Sequence, residues 1–134
     1  MRVLAIDYGE ARAGLAISDP TGTLATPMPA AEPPDPSDVA RIASEREAEM
    51  VVIGLPRSLS GEEGHQAAVT RQFAAELEAV CDLPIEFYDE RFTTRMASQT
   101  RRATGSKADE DSIAAAHLLE GFLDALRVRN GGPQ

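Results

Sequence analysis

The chain opens on an apolar run, Val3-Leu4-Ala5-Ile6, that stops at Asp7. A short continuous run of this kind predicts a central strand over residues 2–6. Gly9 and Gly14 bracket a turn, and Gly14–Ser18 reads as a second strand. Asp19-Pro20-Thr21-Gly22 is a strong turn signal, and a third strand follows it and ends at Pro27. Pro29 to Pro36 is a connection rich in Pro and Ala, after which Asp35 or Ser37 can cap a helix to about Glu47. Met50–Ile53 is a fully apolar strand stopped by Gly54-Leu55-Pro56, and residues 57–64 form a polar loop. From about Glu62 to Val80, the spacing of Val69, Phe73, Leu77 and Val80 predicts a helix with one stripe toward the core. Pro84–Tyr88 is a fifth strand, and Thr93 or Thr94 can cap the helix after it. Asp109–Arg127 is the last helix, with Ile113, Leu118, Leu119, Phe122, Leu123 and Leu126 as its apolar positions. The order β-β-β-α-β-α-β-α-α belongs to an α/β fold. The opening meander implies antiparallel pairing and the later alternation parallel pairing, so a mixed five-stranded sheet flanked by helices on both faces is expected. Residues 1–128 read as one domain and 129–134 as a loose C-terminal tail.

A chain of 134 residues is long enough for one real core. Aromatic content of 4%, with no Trp, argues against a single-strand binder built on stacked rings. Cys81 is the one cysteine, which excludes an intrachain disulfide, and no Cys/His set for zinc exists. His65 and His117 are isolated and read as structural or exposed. The chain has no 18-residue apolar run to span a membrane, and the stretch before Asp7 is too short for a signal peptide. A cytoplasmic protein is expected.

Net charge is −9, which taken alone disfavours nucleic acid. Its distribution changes the picture. Arg91, Arg95, Arg101, Arg102 and Lys107 fall between residues 91 and 108, a stretch without a single acid. Such a segment is either a positive face on an acidic protein or a solvated helix surface paired with nearby acids.

The candidate chemistry lies in separated carboxylates. Asp7 stands where a buried strand stops, at a sheet end that is rigid and near solvent. Asp89-Glu90 closes the fifth strand, and Asp111 falls in the first turn of the last helix, where the helix dipole favours a negative charge. Ala114, Ala115 and Ala116 are small enough to let that helix approach the sheet and bring Asp111 toward Asp7. Three converging carboxylates suit metal-assisted phosphate chemistry.

Asp7-Tyr8-Gly9 with Arg12, Gly14, Ser18 and Asp19 resembles the opening motif of the YqgF/RuvX family of RNase H-like nucleases. Gly54-Leu55-Pro56 with Gly61, Asp89-Glu90-Arg91 with Thr93-Thr94, and Asp111 followed by Ile113-Ala114-Ala115 match further blocks in family order, spanning about residues 1 to 126. The resemblance implies an RNase H-like fold and a divalent-metal nuclease with Asp7, Glu90 and Asp111 as its catalytic and metal-binding triad. Asp89 could stand in for Glu90. The related RuvC resolvases place an acid at the end of the fourth strand, where this chain has Gly54-Leu55-Pro56, so here the second acid must come from the next strand over. Two Mg²⁺ or Mn²⁺ ions, about 4 Å apart in such sites, would activate water and stabilise the leaving oxygen. Arg12, Arg57, Arg91, Arg95, Arg101 and Arg102 are candidates for phosphate contacts that position rather than read sequence. Arg91 could instead fix Glu90 by pairing, and the 55–64 loop is either a substrate contact or only a connection.

For this family the implied role is maturation of the 5′ end of pre-16S ribosomal RNA, acting on structured RNA. The alternative is resolution of Holliday junctions in branched DNA, which needs two active sites on a symmetric dimer, so a monomer or a homodimer is expected according to the role. Asp7-Tyr8-Gly9 through Gly14 also resembles the phosphate loop of actin- and hexokinase-like ATPases, but those clamp ATP between two domains and this chain has the length of one. A silent nucleic-acid-binding module is the remaining class, and the retained acids argue against it.

Overall fold

A computed structural model describes residues 1–57, 61–89 and 107–129, with side chains in the last segment described from Ser112 onward. The strands are β1 (Val3–Asp7), β2 (Ala13–Ser18), β3 (Ala25–Ala31), β4 (Met50–Leu55) and β5 (Ile85–Asp89). The helices among the described residues are α1 (Pro36–Glu45), α2 (His65–Val80) and α3 (Lys107–Arg129). The helix expected after Thr93 or Thr94 lies outside the described residues.

The sheet order is β3-β2-β1-β4-β5. The two hairpin connections pair β1 with β2 and β2 with β3 antiparallel, whereas the helical crossovers through α1 and α2 leave β4 parallel to both β1 and β5. This is the mixed five-stranded sheet that the sequence predicts. β1 lies at its centre because its side chains are apolar on both faces. Leu4 and Ile6 join Val39 and Ala43 of α1 and Phe73, Ala74 and Leu77 of α2 on one face. Val3 and Ala5 join Ala115, Ala116, Leu118, Leu119, Phe122 and Leu123 of α3 on the other. Ala5 and Ala16 in the sheet meet the alanines of α3, so helix and sheet approach with little side chain between them.

The element bounds depart from expectation where pairing outweighs local signals. β3 continues through Pro27 and Pro29 to Ala31, because it is an edge strand and proline's missing N–H costs no ladder bond on the open side. Parallel pairing of Gly54 with Tyr88 and Leu55 with Asp89 carries β4 two residues past Ile53. α1 ends at Glu45, and Glu47 takes a left-handed φ of 58° at the turn. Asp35 is its N-cap residue, though its side chain makes no capping bond. α2 starts at His65, and its buried stripe is Ala67, Thr70, Phe73, Ala74 and Leu77, leaving Val80 exposed. Thr70 sits in that stripe at little cost because its hydroxyl donates to the Gln66 carbonyl. α3 extends to Arg129, which lies 3.5 Å from Glu86 on β5.

The far end of the sheet is tied by polar bonds. The buried Ser18 hydroxyl accepts from the Val3 N–H at 2.8 Å and donates to the Met1 carbonyl at 3.3 Å. In the β2–β3 turn, Asp19 accepts from the Thr21 hydroxyl, the Thr23 N–H and the Leu24 N–H. Those bonds, with Thr21 foremost, hold its carboxyl at about 2, below the ordinary 3.8.

Two outcomes are expected. Ala115→Leu, at a fully buried contact, should lower stability by about 1–3 kcal/mol through overpacking, read as a shift in the urea midpoint. Because the folded Asp19 has the lower pKa, its contribution is complete above the unfolded value and is lost as pH falls toward about 2. Asp19→Asn should therefore flatten the acid side of the stability curve below about pH 4, measured by urea unfolding across that range.

Candidate functional site

Asp7 ends β1 opposite Gly14 of β2 and is half-buried. Strand alternation puts its side chain on the face shared by Val3 and Ala5, which α3 covers. The next residues tie this end of β1 to α2. The Tyr8 ring stacks on Phe73 with centroids 4.6 Å apart, and the Gln66 amide donates to the Tyr8 carbonyl at 3.4 Å. Burial, followed by the charges of Glu10 and Glu76, raises the Tyr8 phenol, so the ring stays neutral. His65 Nε2 comes within 4.0 Å of Glu10. Gly9 is required by crowding, since a Cβ there would stand 2.7 Å from the Arg12 carbonyl oxygen. That carbonyl belongs to the β1–β2 loop, so the Asp7-Tyr8-Gly9 motif is a tight hairpin that keeps Asp7 at the sheet end. Arg12 Nε is shielded from solvent and lies 3.6 Å from Glu32.

Across the sheet, Gly54 follows the Ile6–Ile53 row of the parallel β1–β4 pair and brings no side chain to the α3 face. Its neighbour on β5 is Tyr88, whose ring meets Phe122 of α3 edge-on at 6.1 Å. Burial, then Asp124 and Asp89, raises the Tyr88 phenol. Asp89 alternates to the opposite face, where Arg57 Nη1 stands 3.9 Å from its carboxylate.

Arg57 also lies 3.2 Å from Glu63, and Glu63 is held by a two-pronged contact from Arg71, at 2.7 and 2.8 Å. The Arg71 guanidinium covers the Phe87 ring at 4.9 Å. This chain of charges links the β4–α2 connection to the end of β5, and its hydrogen bond from Arg71 holds the Glu63 carboxyl below its usual range. Beside it, an open pocket of about 400 Å³ is lined by Pro56, Arg57 and residues 62–67.

The structure thus gathers Asp7 and Arg12 on one hairpin, and Arg57 with Asp89 at the neighbouring end of β4 and β5. Asp111 falls within α3, past its first turn, and its side chain is outside the described set. Glu90, Arg91, Arg95, Arg101 and Arg102 lie outside the described residues. Among the described residues no group of three or more His, Cys, Asp or Glu side chains is placed to hold a metal ion. Sequence reasoning did not single out Gln66, Glu63, Arg71 or Ser112 as supports of this region. Ser112 alone left a signal, as a hydroxyl on the apolar stripe that continues through Ala115, Ala116 and Leu119.

Known proteins share both the sequence and the fold. The profile described as RuvX, Holliday junction resolvase, matches residues 1–125. A Chloroflexus aggregans protein with the provisional name pre-16S rRNA nuclease is 40% identical over 134 residues, covering 93% of this chain and 94% of its own. Equally named proteins of Rhodococcus erythropolis and Streptomyces coelicolor are 42% and 41% identical, covering 92% and 98% of this chain and 77% and 85% of theirs. Among solved structures, Thermus thermophilus RuvC in complex with a Holliday junction substrate superposes with a TM-score of 0.61 at 15% identity, covering 98% of this chain and 96% of that one. At that identity the likeness speaks for the fold, which is RNase H-like, while the profile match and the relatives speak for descent. The chain belongs to the RuvX family.

Proposed function

We propose that this protein is a divalent-metal-dependent nuclease that hydrolyses phosphodiester bonds in processing the 5′ end of pre-16S rRNA. The observation that carries the reading is Asp7, fixed at the end of the central strand on the face covered by α3, in a chain whose relatives across nearly their full length are named for that activity. Asp7, Glu90 and Asp111 are the proposed metal-binding and catalytic residues. An all-carboxylate oxygen set suits Mg²⁺ or Mn²⁺, and the soft or imidazole donors Cys81, His65 and His117 belong to other parts of the chain. Bound there, such cations would make a water nucleophilic near neutral pH and offset charge on the leaving oxygen.

The chain's own contribution is placement. Ladder pairing holds β1 on both sides as far as Ile6 and holds Asp7 against Gly14, and the Tyr8 anchors keep the hairpin from swinging over the sheet end. The basic residues between Arg91 and Lys107 neutralise substrate phosphates, with Arg12 as a further contact. Arg57, set between Glu63 and Asp89, has part of its charge already spent on those carboxylates and serves the phosphate less directly. The substrate is structured RNA in the cytoplasm. Among the described residues no helix is long and apolar enough to cross a membrane.

The second reading is Holliday junction resolution. It is favoured by the likeness to junction-bound RuvC over almost the whole of both chains and by the family's description. It requires a symmetric dimer, whereas a processing nuclease can act as a monomer.

Incubation with Mg²⁺ or Mn²⁺ and matched pre-16S leader RNA, four-way DNA junction and linear controls separates these readings. Metal-dependent RNA cleavage is expected. Paired symmetric cuts in the junction alone would install the resolvase reading, and cleavage of neither would overturn both. Asp7→Asn should lower cleavage by about 100- to 1,000-fold, the scale of losing a group that stabilises transition-state charge. RNA binding by gel shift should be kept or improved, because a negative charge near phosphate is removed. Reversing charge at Arg101 and Arg102 should weaken binding and lower the slope of log K against log salt by about 0.7 for each single-strand phosphate no longer neutralised.

A further inference from the structure

One buried contact between α3 and the sheet is polar. Ser112 is 2% exposed, and its hydroxyl donates to the Met28 carbonyl of β3 across 84 residues of sequence. The rest of the interface here is smooth, because Ala115 and Ala116 lie over Ala5 and Ala16. Apolar contact between small side chains is non-directional and tolerates sliding. A hydrogen bond in a dry interface does not, since its strength falls steeply with distance and angle.

Register sets where this pin acts. Met28 pairs with Leu15, and Leu15 pairs with Ile6, so the three share one row of the sheet. The next row outward is Gly14 and Asp7. Ser112 therefore fastens α3 one row inside the sheet end that carries Asp7. Asp111 is the residue immediately before Ser112 on the same rigid helix.

We infer that Ser112 is a positioning residue, whose bond to the Met28 carbonyl sets the height of α3 over the sheet and thereby how closely the helix backbone at Asp111 approaches the sheet end that carries Asp7. This rests on the metal-nuclease reading, which it deepens. The hydroxyl touches neither substrate nor metal and acts through the helix backbone. Ser112→Ala keeps the small volume and the apolar packing but removes the pin, leaving a buried carbonyl to find another donor.

The test is Mn²⁺ binding by titration calorimetry on the full chain without nucleic acid, alongside thermal melting. The dissociation constant for Mn²⁺ should rise about 10-fold or more in Ser112→Ala, the usual effect of losing a group that orients metal ligands. Ser112→Thr, which keeps a hydroxyl, should restore part of the affinity. Phe122→Leu, a destabilising change elsewhere on α3, separates positioning from stability. It should lower the melting temperature while leaving Mn²⁺ affinity within about 2-fold, well short of that expected loss. Unchanged Mn²⁺ affinity in Ser112→Ala would overturn the inference alone, as would equal losses in Ser112→Ala and Phe122→Leu. An unaltered chain that binds no Mn²⁺ would overturn the metal-nuclease reading and this inference together.

Discussion

Burial of β1 on both faces is the constraint from which the rest of the architecture follows. A five-residue strand with Val3, Leu4, Ala5 and Ile6 fully buried needs a layer on each side. α1 and α2 supply one layer, and α3 supplies the other through Ala115 and Ala116 together with Leu118, Leu119, Phe122 and Leu123. The asymmetry shapes the candidate site. The α3 face is thin where it meets β1 and β2, so the helix backbone itself comes close to the row that ends in Asp7. A bulky residue at Ala5, Ala16 or Ala115 would build a conventional core and push the helix away from the candidate site.

Close approach without directional contact would leave α3 poorly fixed. The structure answers this with few polar bonds placed at separate points. Ser112 holds the helix to the edge strand β3, and Arg129 reaches Glu86 on the opposite edge strand β5. On the other face, Gln66 and Phe73 of α2 hold Tyr8, the residue beside Asp7. Each candidate carboxylate whose chain neighbour is described thus has that neighbour anchored: Tyr8 next to Asp7, Ser112 next to Asp111, and Asp89 next to Glu90 through Arg57. A site that must collect charges which repel one another gains from having its backbone fixed by contacts other than those between the charges themselves.

Much of the fold was legible in the chain because its cues are local. The apolar runs at Val3–Ile6 and Met50–Ile53, the Asp19–Gly22 turn and the helical stripe of α3 each act within a few residues. The misplaced bounds share a cause. Pro27 and Pro29 argue against a strand unless the strand is known to lie at an edge, and Gly54 argues for a stop unless a parallel partner holds it extended. Val80 fits a helical stripe by spacing, yet the stripe that meets the sheet runs through Ala67, Thr70 and Leu77, because crossover geometry sets the rotation of α2.

The sequence by itself determined the family and the candidates for its chemistry. Asp7, Glu90 and Asp111 sit in motif blocks whose order identifies the family, and the concentration of arginines between 91 and 102 can be read without coordinates. Only the tertiary structure decided which face Asp7 occupies, that Asp89 turns to Arg57 on the other face, and that Ser112 is bound to Met28. The physical reason is range. Strand and helix periodicity, turn chemistry and motif spacing are set by neighbours in the chain. The pairing of a hydroxyl with a carbonyl 84 residues away depends on how a helix settles on a sheet, which no local pattern encodes.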